Sequence, residues 1–580
     1  MRFPLFGVAL VTLACAGPRT PATTAPAPAS PPPPPPTPQA LAAGAPSSPL
    51  LPRVPLVVGP LALKVVYPAS NALIQSRDSN FIFGSTGNGN AVMTINGTPV
   101  HVWPNGAYLG FLPVPGADAS RYDLVASVGG DTARLSHPIR LLPPLPTTSD
   151  SAHVDSLVAD SLRIARARAD SMHADSVHNS SRRGGKASLT VAARDTVAHR
   201  LTASDTALTY VALGNLADSV TADTDRVIIG RPVPAGTYKW FLLPGTVLRQ
   251  TGRDGEFVRV RLDDALDIWV AATDAVALPV GAMPPSRLVG NVRVVPGDEY
   301  TDLALPMGGR PAYSVEESGR DVILTLYGTR ATTDVVAYRP NDALVRTVEW
   351  MQEGAERARF TVHLRERPFG YLVLWQNGTL VLRLRHRPRV DPQRPLGGLT
   401  IAVDPGHPPI GATGPTGLWE AQATLWVGER LAAMLRERGA TVLMTRTTMD
   451  AVALGDRPTI ARRGNAQLLV SIHLNALPDG INPFKVQGTG TYFFQPHAEA
   501  LARAVQRGLV ARMALPDLGV FYDNLALTRP TWMPAILCEG AFMMIPDQEA
   551  ALRTPQFEDA YARGIADGIE EYLRGLPADR

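Results

Sequence analysis

The sequence predicts a multidomain chain, with N-terminal all-β domains followed by a C-terminal α/β domain whose mostly parallel sheet is covered by helices. Three observations carry this. Strand-like runs with turn dipeptides recur from residue 54 to about 388, strand and helix patterns alternate from Leu399 onward, and two polar or Pro-rich stretches divide the chain. A length of 580 residues exceeds what one hydrophobic core organises, and 54 prolines are more than packed domains use, so they mark linkers.

Residues 1–15 read as a secretory signal: Met1-Arg2, then a short apolar core from Phe3 to Ala14. That core is too short to span a bilayer. It ends in Thr12-Leu13-Ala14-Cys15, which resembles a lipoprotein box, with Thr12 where an aliphatic residue is usual. The resemblance implies lipid on Cys15, membrane anchoring through it, and a periplasm-facing outer-membrane lipoprotein, since Ala16 rather than Asp follows. Cys538 is the other cysteine; it sits in an apolar run and reads as a buried small hydrophobe. Residues 16–53, with prolines at 31–36, read as a semi-rigid extended tether.

Residues 54–145 read as a small β domain. Its runs include Phe81 to Gly84, Ala91 to Ile95 and Pro99 to Trp103, with Asn96-Gly97 as the hairpin turn between the last two, and it resembles immunoglobulin-like modules. Residues 146–194 repeat Ala-Asp-Ser among arginines and read as a solvated low-complexity linker. Residues 195–287 resemble the small barrels of wall enzymes. Residues 288–390 form another β-rich block, with Asn377-Gly378 joining two strands, and resemble a wall-targeting domain. A net charge of +3 gives no electrostatic case for nucleic acid, and none is expected as a partner.

From Leu399 the strand candidates are Leu399–Val403, Thr441–Thr445, Leu468–Ile472, Gly490–Phe494 and Ala535–Leu537. Helical patterns fall around 418–438, 455–465, 497–513 and 556–573. In sheets of this kind, ligands bind beyond the carboxyl ends of the strands. Asp404-Pro405-Gly406-His407 and Ser471-Ile472-His473-Leu474-Asn475 end two strands there, Glu420 opens a helix from the same edge, and Glu539 closes a late apolar strand. Two His and a Glu suit a metal, and an isolated buried carboxylate at 539 needs a partner or a reaction.

These islands, with the run from Gly411 through Gly417 to Glu420, Thr445-Arg446 and Pro534 to Phe542, occur in the order seen in zinc-dependent N-acetylmuramoyl-L-alanine amidases, which residues 398–575 resemble. The resemblance implies Zn²⁺ held by His407, Glu420 and His473, and Glu539 as general base and acid. It also implies peptidoglycan as substrate, and cell-division or envelope regulators as partners. Other readings are a zinc peptidase cutting the stem peptide, a non-catalytic wall-binding lipoprotein, and a Glu539 tied into an ion pair with Arg446 or Arg529. Two features depart from the family: Pro408-Pro409 stands where a Gly pair is usual, in a shortened loop, and Ala541 stands before Phe542. Asp404 is expected to orient a ligand His, Asn475 to shape its loop, and His497 to lie at the surface of its helix.

Overall fold

The computed structural model describes residues 51–141, 209–214 and 227–577. The signal segment, the Cys15 box, nearly all of the Pro-rich tether and the 146–194 linker lie outside the described residues.

Period-two alternation builds three β units ahead of the C-terminal α/β segment. Residues 64–141 form a three-stranded sheet (Lys64–Tyr67, Ser79–Ser85, Ala107–Pro113), a four-stranded sheet and one short parallel pair. Residues 210–277 form a five-stranded sheet beside a short hairpin. Residues 288–385 form a five-stranded and a four-stranded sheet around one core. Both Asn-Gly turns are hairpins: φ is +47° at Asn96 and Asn377, and +78° and +74° at the glycines that follow. Asn and Gly tolerate that left-handed backbone.

The C-terminal segment runs β1 (Thr400–Pro405), α1 (Glu420–Glu437), β2 (Thr441–Met444), α2 (Asp456–Arg463), β3 (Leu468–Asn475), β4 (Thr489–Phe493), α3 (Glu499–Met513), β5 (Asp517–Tyr522), β6 (Ala535–Phe542), α4 (Pro546–Ala551) and α5 (Pro555–Arg574). The strands lie in the order β2-β1-β3-β6-β4-β5. β2, β1, β3 and β6 are mutually parallel, β4 runs antiparallel to β6, and β5 is parallel to β4.

Alternation along the strands sorts the apolar side chains onto two faces. Ile401, Val403, Leu468, Val470, Ile472, Ile536 and Cys538 pack beneath α1, α3 and α5. The last two helices cross closely, because a Cβ on Gly508 would stand 2.1 Å from the Gly564 carbonyl oxygen. Ala402, Leu469, Ala535 and Leu537 point the other way. They meet Ala461 of α2, the 525–533 loop, and Leu372, Leu374 and Val381 of the adjacent β unit. The expected cover of helices is thus only partly realised: a neighbouring β domain replaces helices over much of the second face. The sequence pattern is the same either way, since an apolar row does not say what will cover it.

Arg385 fastens that cover. It is buried, and it donates to the carbonyls of Ala466 (2.6 Å), Asn465 (3.1 Å) and Trp532 (3.3 Å) and to the Asn465 side-chain oxygen (2.8 Å). Its guanidinium lies 4.6 Å from the centre of the Trp532 ring. Burial pushes its pKa down to about 10, so it remains charged at neutral pH. Replacing it leaves several buried acceptors without a donor. Arg385→Met is expected to cost about 2–4 kcal/mol, read as a lowered urea midpoint of the full chain; an unchanged midpoint would show the contact to be energetically idle.

Candidate metal and catalytic site

The carboxyl ends of β1, β3 and β6 bring the site together. In the ladders Asp404 pairs with Ser471 and His473 pairs with Glu539, so strand register alone sets His473 and Glu539 side by side. His407 follows β1 and Glu420 is the first residue of α1. One ligand atom from each of His407, Glu420 and His473 lies within 4.8 Å of the other two.

Glu420 is the hub. Its Oε2 is 3.2 Å from His407 Nε2 and accepts the Ala412 N–H at 2.8 Å. Its Oε1 is 3.3 Å from His473 Nδ1 and accepts the Leu474 N–H at 3.0 Å. Burial alone would raise its pKa, but the charges and hydrogen bonds of His407 and His473 outweigh that and hold it well below the carboxylate range. In return His473, which burial would lower, is raised by Glu420, with Glu539 and Asp404 adding to the effect. The two imidazole rings meet edge to face, 4.8 Å between centres. Two imidazole nitrogens converging on one buried carboxylate form a donor set suited to a divalent transition metal.

Close approach shapes the cleft. A Cβ on Gly406 would stand 2.5 Å from His473 Cε1, so only glycine lets that ring lie across the end of β1. His407 has φ +61°, uncommon outside glycine, and Pro408 and Pro409 follow it. This backbone is held from behind. Arg457 Nη2 donates to the His407 carbonyl at 2.9 Å and to that of Pro408 at 3.3 Å, while Nη1 donates to the Pro405 carbonyl at 2.9 Å.

Arg457 itself is fixed by Asp404, at 2.8 Å. Asp404 is fully buried and also accepts from the hydroxyls of Ser471 (2.6 Å) and Thr445. Burial would raise its pKa; Arg457 and the two hydroxyls reverse the sign and lower it. This corrects the expectation that Asp404 orients a ligand imidazole. Its hydrogen bonds go to Arg457, Ser471 and Thr445, and it reaches His407 only through the Arg457 guanidinium.

Other side chains support the site, of which Tyr561 and Glu549 were silent in the sequence. Arg446 donates to the carbonyls of Pro405 (2.8 Å), Gly406 (2.9 Å) and Ala421 (2.6 Å), and none of these bonds goes to Glu539. Arg529 donates to the Asn524 side chain at 2.8 Å. Tyr561 bridges the carbonyls of His473 (3.0 Å) and Cys538 (2.9 Å) from α5. Glu549 accepts the N–H groups of Thr416 (2.9 Å) and Leu418 (3.0 Å), which shapes the loop leading into Glu420. Glu539 is buried inside β6, which runs on to Phe542 rather than closing at Glu539 as expected, and Asn475 ends β3, its carbonyl accepting the Met543 N–H at 3.1 Å. His497, expected at the surface, is buried: its Nδ1 is 2.6 Å from Glu317 Oε1 of the adjacent β unit, which covers that end of the helix.

The profile of the N-acetylmuramoyl-L-alanine amidase family matches residues 401–571. The chain is 30% identical over 207 residues to the uncharacterized protein YqiI of Bacillus subtilis, covering 34% of this chain and 98% of that protein. Through this segment, the chain belongs to the N-acetylmuramoyl-L-alanine amidase family. It is also 30% identical over 183 residues to the probable cell wall amidase LytH of Staphylococcus epidermidis, and 31% identical over 188 residues to the N-acetylmuramoyl-L-alanine amidase LytC of Bacillus subtilis. These matches cover 31% of this chain in each case, but only 60% of LytH and 37% of LytC. These three matches each cover about a third of this chain.

The Asp404–Arg457 pair should be needed for stability as well as shape. Arg457→Met leaves a carboxylate buried without its counter-charge, and is expected to cost about 3–5 kcal/mol. Because the folded pKa of Asp404 lies below the unfolded one, its contribution is complete above about pH 4 and is lost as pH falls through the folded value. Urea titrations of wild type and Arg457→Met at pH 7 check this; equal midpoints would contradict the assignment.

Proposed function

We propose that the amidase segment hydrolyses the amide bond between N-acetylmuramic acid and L-alanine in peptidoglycan, using Zn²⁺ and a general base. The observation that carries this reading is the convergence of His407 Nε2 and His473 Nδ1 on the buried Glu420 carboxylate, with Glu539 beside His473 in the strand ladder. The names of the relatives support the same bond as the target.

His407, Glu420 and His473 would hold the ion. When bound, Zn²⁺ supplies Lewis-acid polarisation and lowers the pKa of a coordinated water to about 7. The protein contributes the remaining chemistry. Glu420, with both oxygens committed to backbone N–H groups, keeps its orientation as a ligand. Glu539 would take the proton of the attacking water and return it to the leaving nitrogen of alanine. Arg457 holds the backbone of the His407 loop, and Gly406 leaves room for the His473 ring. Such a substrate places the enzyme in the cell envelope. Among the described residues no helix is long and apolar enough to cross a membrane.

Digestion of purified sacculi followed by mass analysis of the new ends tests the bond. Free L-alanine amino termini on released peptides are expected; cuts confined to the stem peptide would replace the amidase reading by a peptidase one. The two roles separate by mutation. His407→Ala and His473→Ala should lose both zinc and turnover, whereas Glu539→Gln should keep zinc while turnover falls by roughly 10²–10⁴. Near-normal turnover of Glu539→Gln in a metal-replete sample would remove it from the chemistry.

A further inference from the structure

The loop that leaves the ligand strand β3 is gripped by the N-terminal β unit, some 400 residues away in sequence. The carboxylate of Asp479 accepts the Tyr67 hydroxyl, the Gln75 N–H at 2.7 Å and the Asn80 side-chain amide at 2.9 Å. Asn80 is fully buried, and its own side-chain oxygen accepts the Gly480 N–H at 3.0 Å. Three donors on one carboxylate, with a reciprocal bond from the next residue, make a specific latch rather than a chance surface contact.

An apolar seam runs beside the latch. Phe81, Phe83, Trp103, Leu109 and Phe111 of the N-terminal unit form one buried cluster with Phe542, Met544 and Ile545 of the catalytic segment, and Leu477 and Phe484 of the gripped loop pack against it. Tyr67 belongs to both, because its ring stacks on Phe81 and Phe83 at 5.0 and 5.7 Å between centres. The seam meets the chain at critical places. Phe542 lies three residues after Glu539 and pairs with Asn475, which lies two residues after His473. Between these positions the ladder carries an irregularity, so regular pairing alone does not fix the strand ends. Met544 Sδ accepts the Leu477 N–H at 3.5 Å, which ties the two segments leaving β3 and β6 to each other.

We infer that the N-terminal β unit is a working part of the catalytic centre, and that Asp479 is a positioning residue through which it fixes the strand ends bearing His473 and Glu539. Residues that never touch the reacting bond matter in this way because a displacement of about 1 Å at reacting groups can cost 10²-fold in rate. The grip lies at the catalytic edge of the sheet, whereas Arg385 and the 288–385 unit hold its other end and second face. The two contacts therefore serve different ends of the same sheet.

This inference rests on the amidase reading for its kinetic arm and on exchange measurements for its structural arm. In the full-length, zinc-replete chain, Asp479→Ala should lower kcat on sacculi by roughly 10- to 100-fold, with zinc content unchanged and KM altered much less. Tyr67→Phe keeps the ring in the seam and removes one donor, so it should fold normally and lower kcat several-fold. The double variant should be no worse than Asp479→Ala alone. Hydrogen exchange of peptides spanning 477–486 and 542–545 should quicken in Asp479→Ala. Wild-type kcat in a variant whose loop exchanges freely would reduce the latch to a tether, and a higher kcat would make the N-terminal unit a cover; either overturns the inference. If the wild-type protein leaves sacculi intact, the amidase reading fails separately, and unchanged exchange in Asp479→Ala then overturns the latch on its own.

Discussion

A carboxylate with no access to water cannot stand without a counter-charge, and Asp404 meets that constraint through Arg457. The pair joins the end of β1 to α2 across 53 positions of sequence, and the hydroxyls of Ser471 and Thr445 bring β3 and the end of β2 into the same cluster. Because Arg457 also donates to the carbonyls of Pro405, His407 and Pro408, the charge balance of the sheet interior is converted into the backbone path of the His407 loop. The left-handed backbone at His407 persists because this guanidinium defines it from two sides. Glu420 repeats the logic nearer the surface: its position is set by two amide donors from separate segments and by the imidazoles it faces.

Much of this was legible in the chain. The strand–helix alternation from Leu399 located every strand from β1 to β4 and β6, and the polar residues that follow the aliphatic runs of β1, β3 and β6 stood out, although β6 continues past Glu539 to Phe542. Placing strand ends at one edge allowed His407, Glu420 and His473 to converge, and the family resemblance picked them out as a set. Arg457 was hidden for a physical reason. It lies in a short helix of mostly polar residues, Asp456–Arg463, which reads as a solvated face, and only the tertiary fold shows that its guanidinium enters the interior. The signal for it is Asp404, since a carboxylate inside a sheet demands a cation from elsewhere in the chain. β5 was missed because Asp517–Tyr522 is an edge strand with a polar start and an interior glycine. His497 was misread because its burial comes from Glu317, a residue in another domain that no local pattern can reveal.

The four parallel strands and the three large helices supply one well-covered face, and the opposite face depends on material from outside the segment. Strand Tyr371–Gln376 and its partner Thr379–Arg385 present Leu372, Leu374 and Val381 to Ala402, Leu469 and Leu537. Cores formed this way are continuous across a domain boundary, so the boundary drawn by composition near residue 390 separates two sequence patterns but not two hydrophobic interiors.

That shared interior bears on how such a chain can be rearranged by evolution or by engineering. A catalytic segment that finishes its own core can be cut out and joined to unrelated partners. Here, excision near residue 398 would strip the cover from Leu469, Ala535 and Leu537, which are almost wholly buried, and leave an apolar row facing water. A transplanted segment would need a new lid of matching shape, or polar replacements along alternate positions of β1, β3 and β6. In this chain the sheet and the β domain that roofs it are therefore best treated as one folding unit.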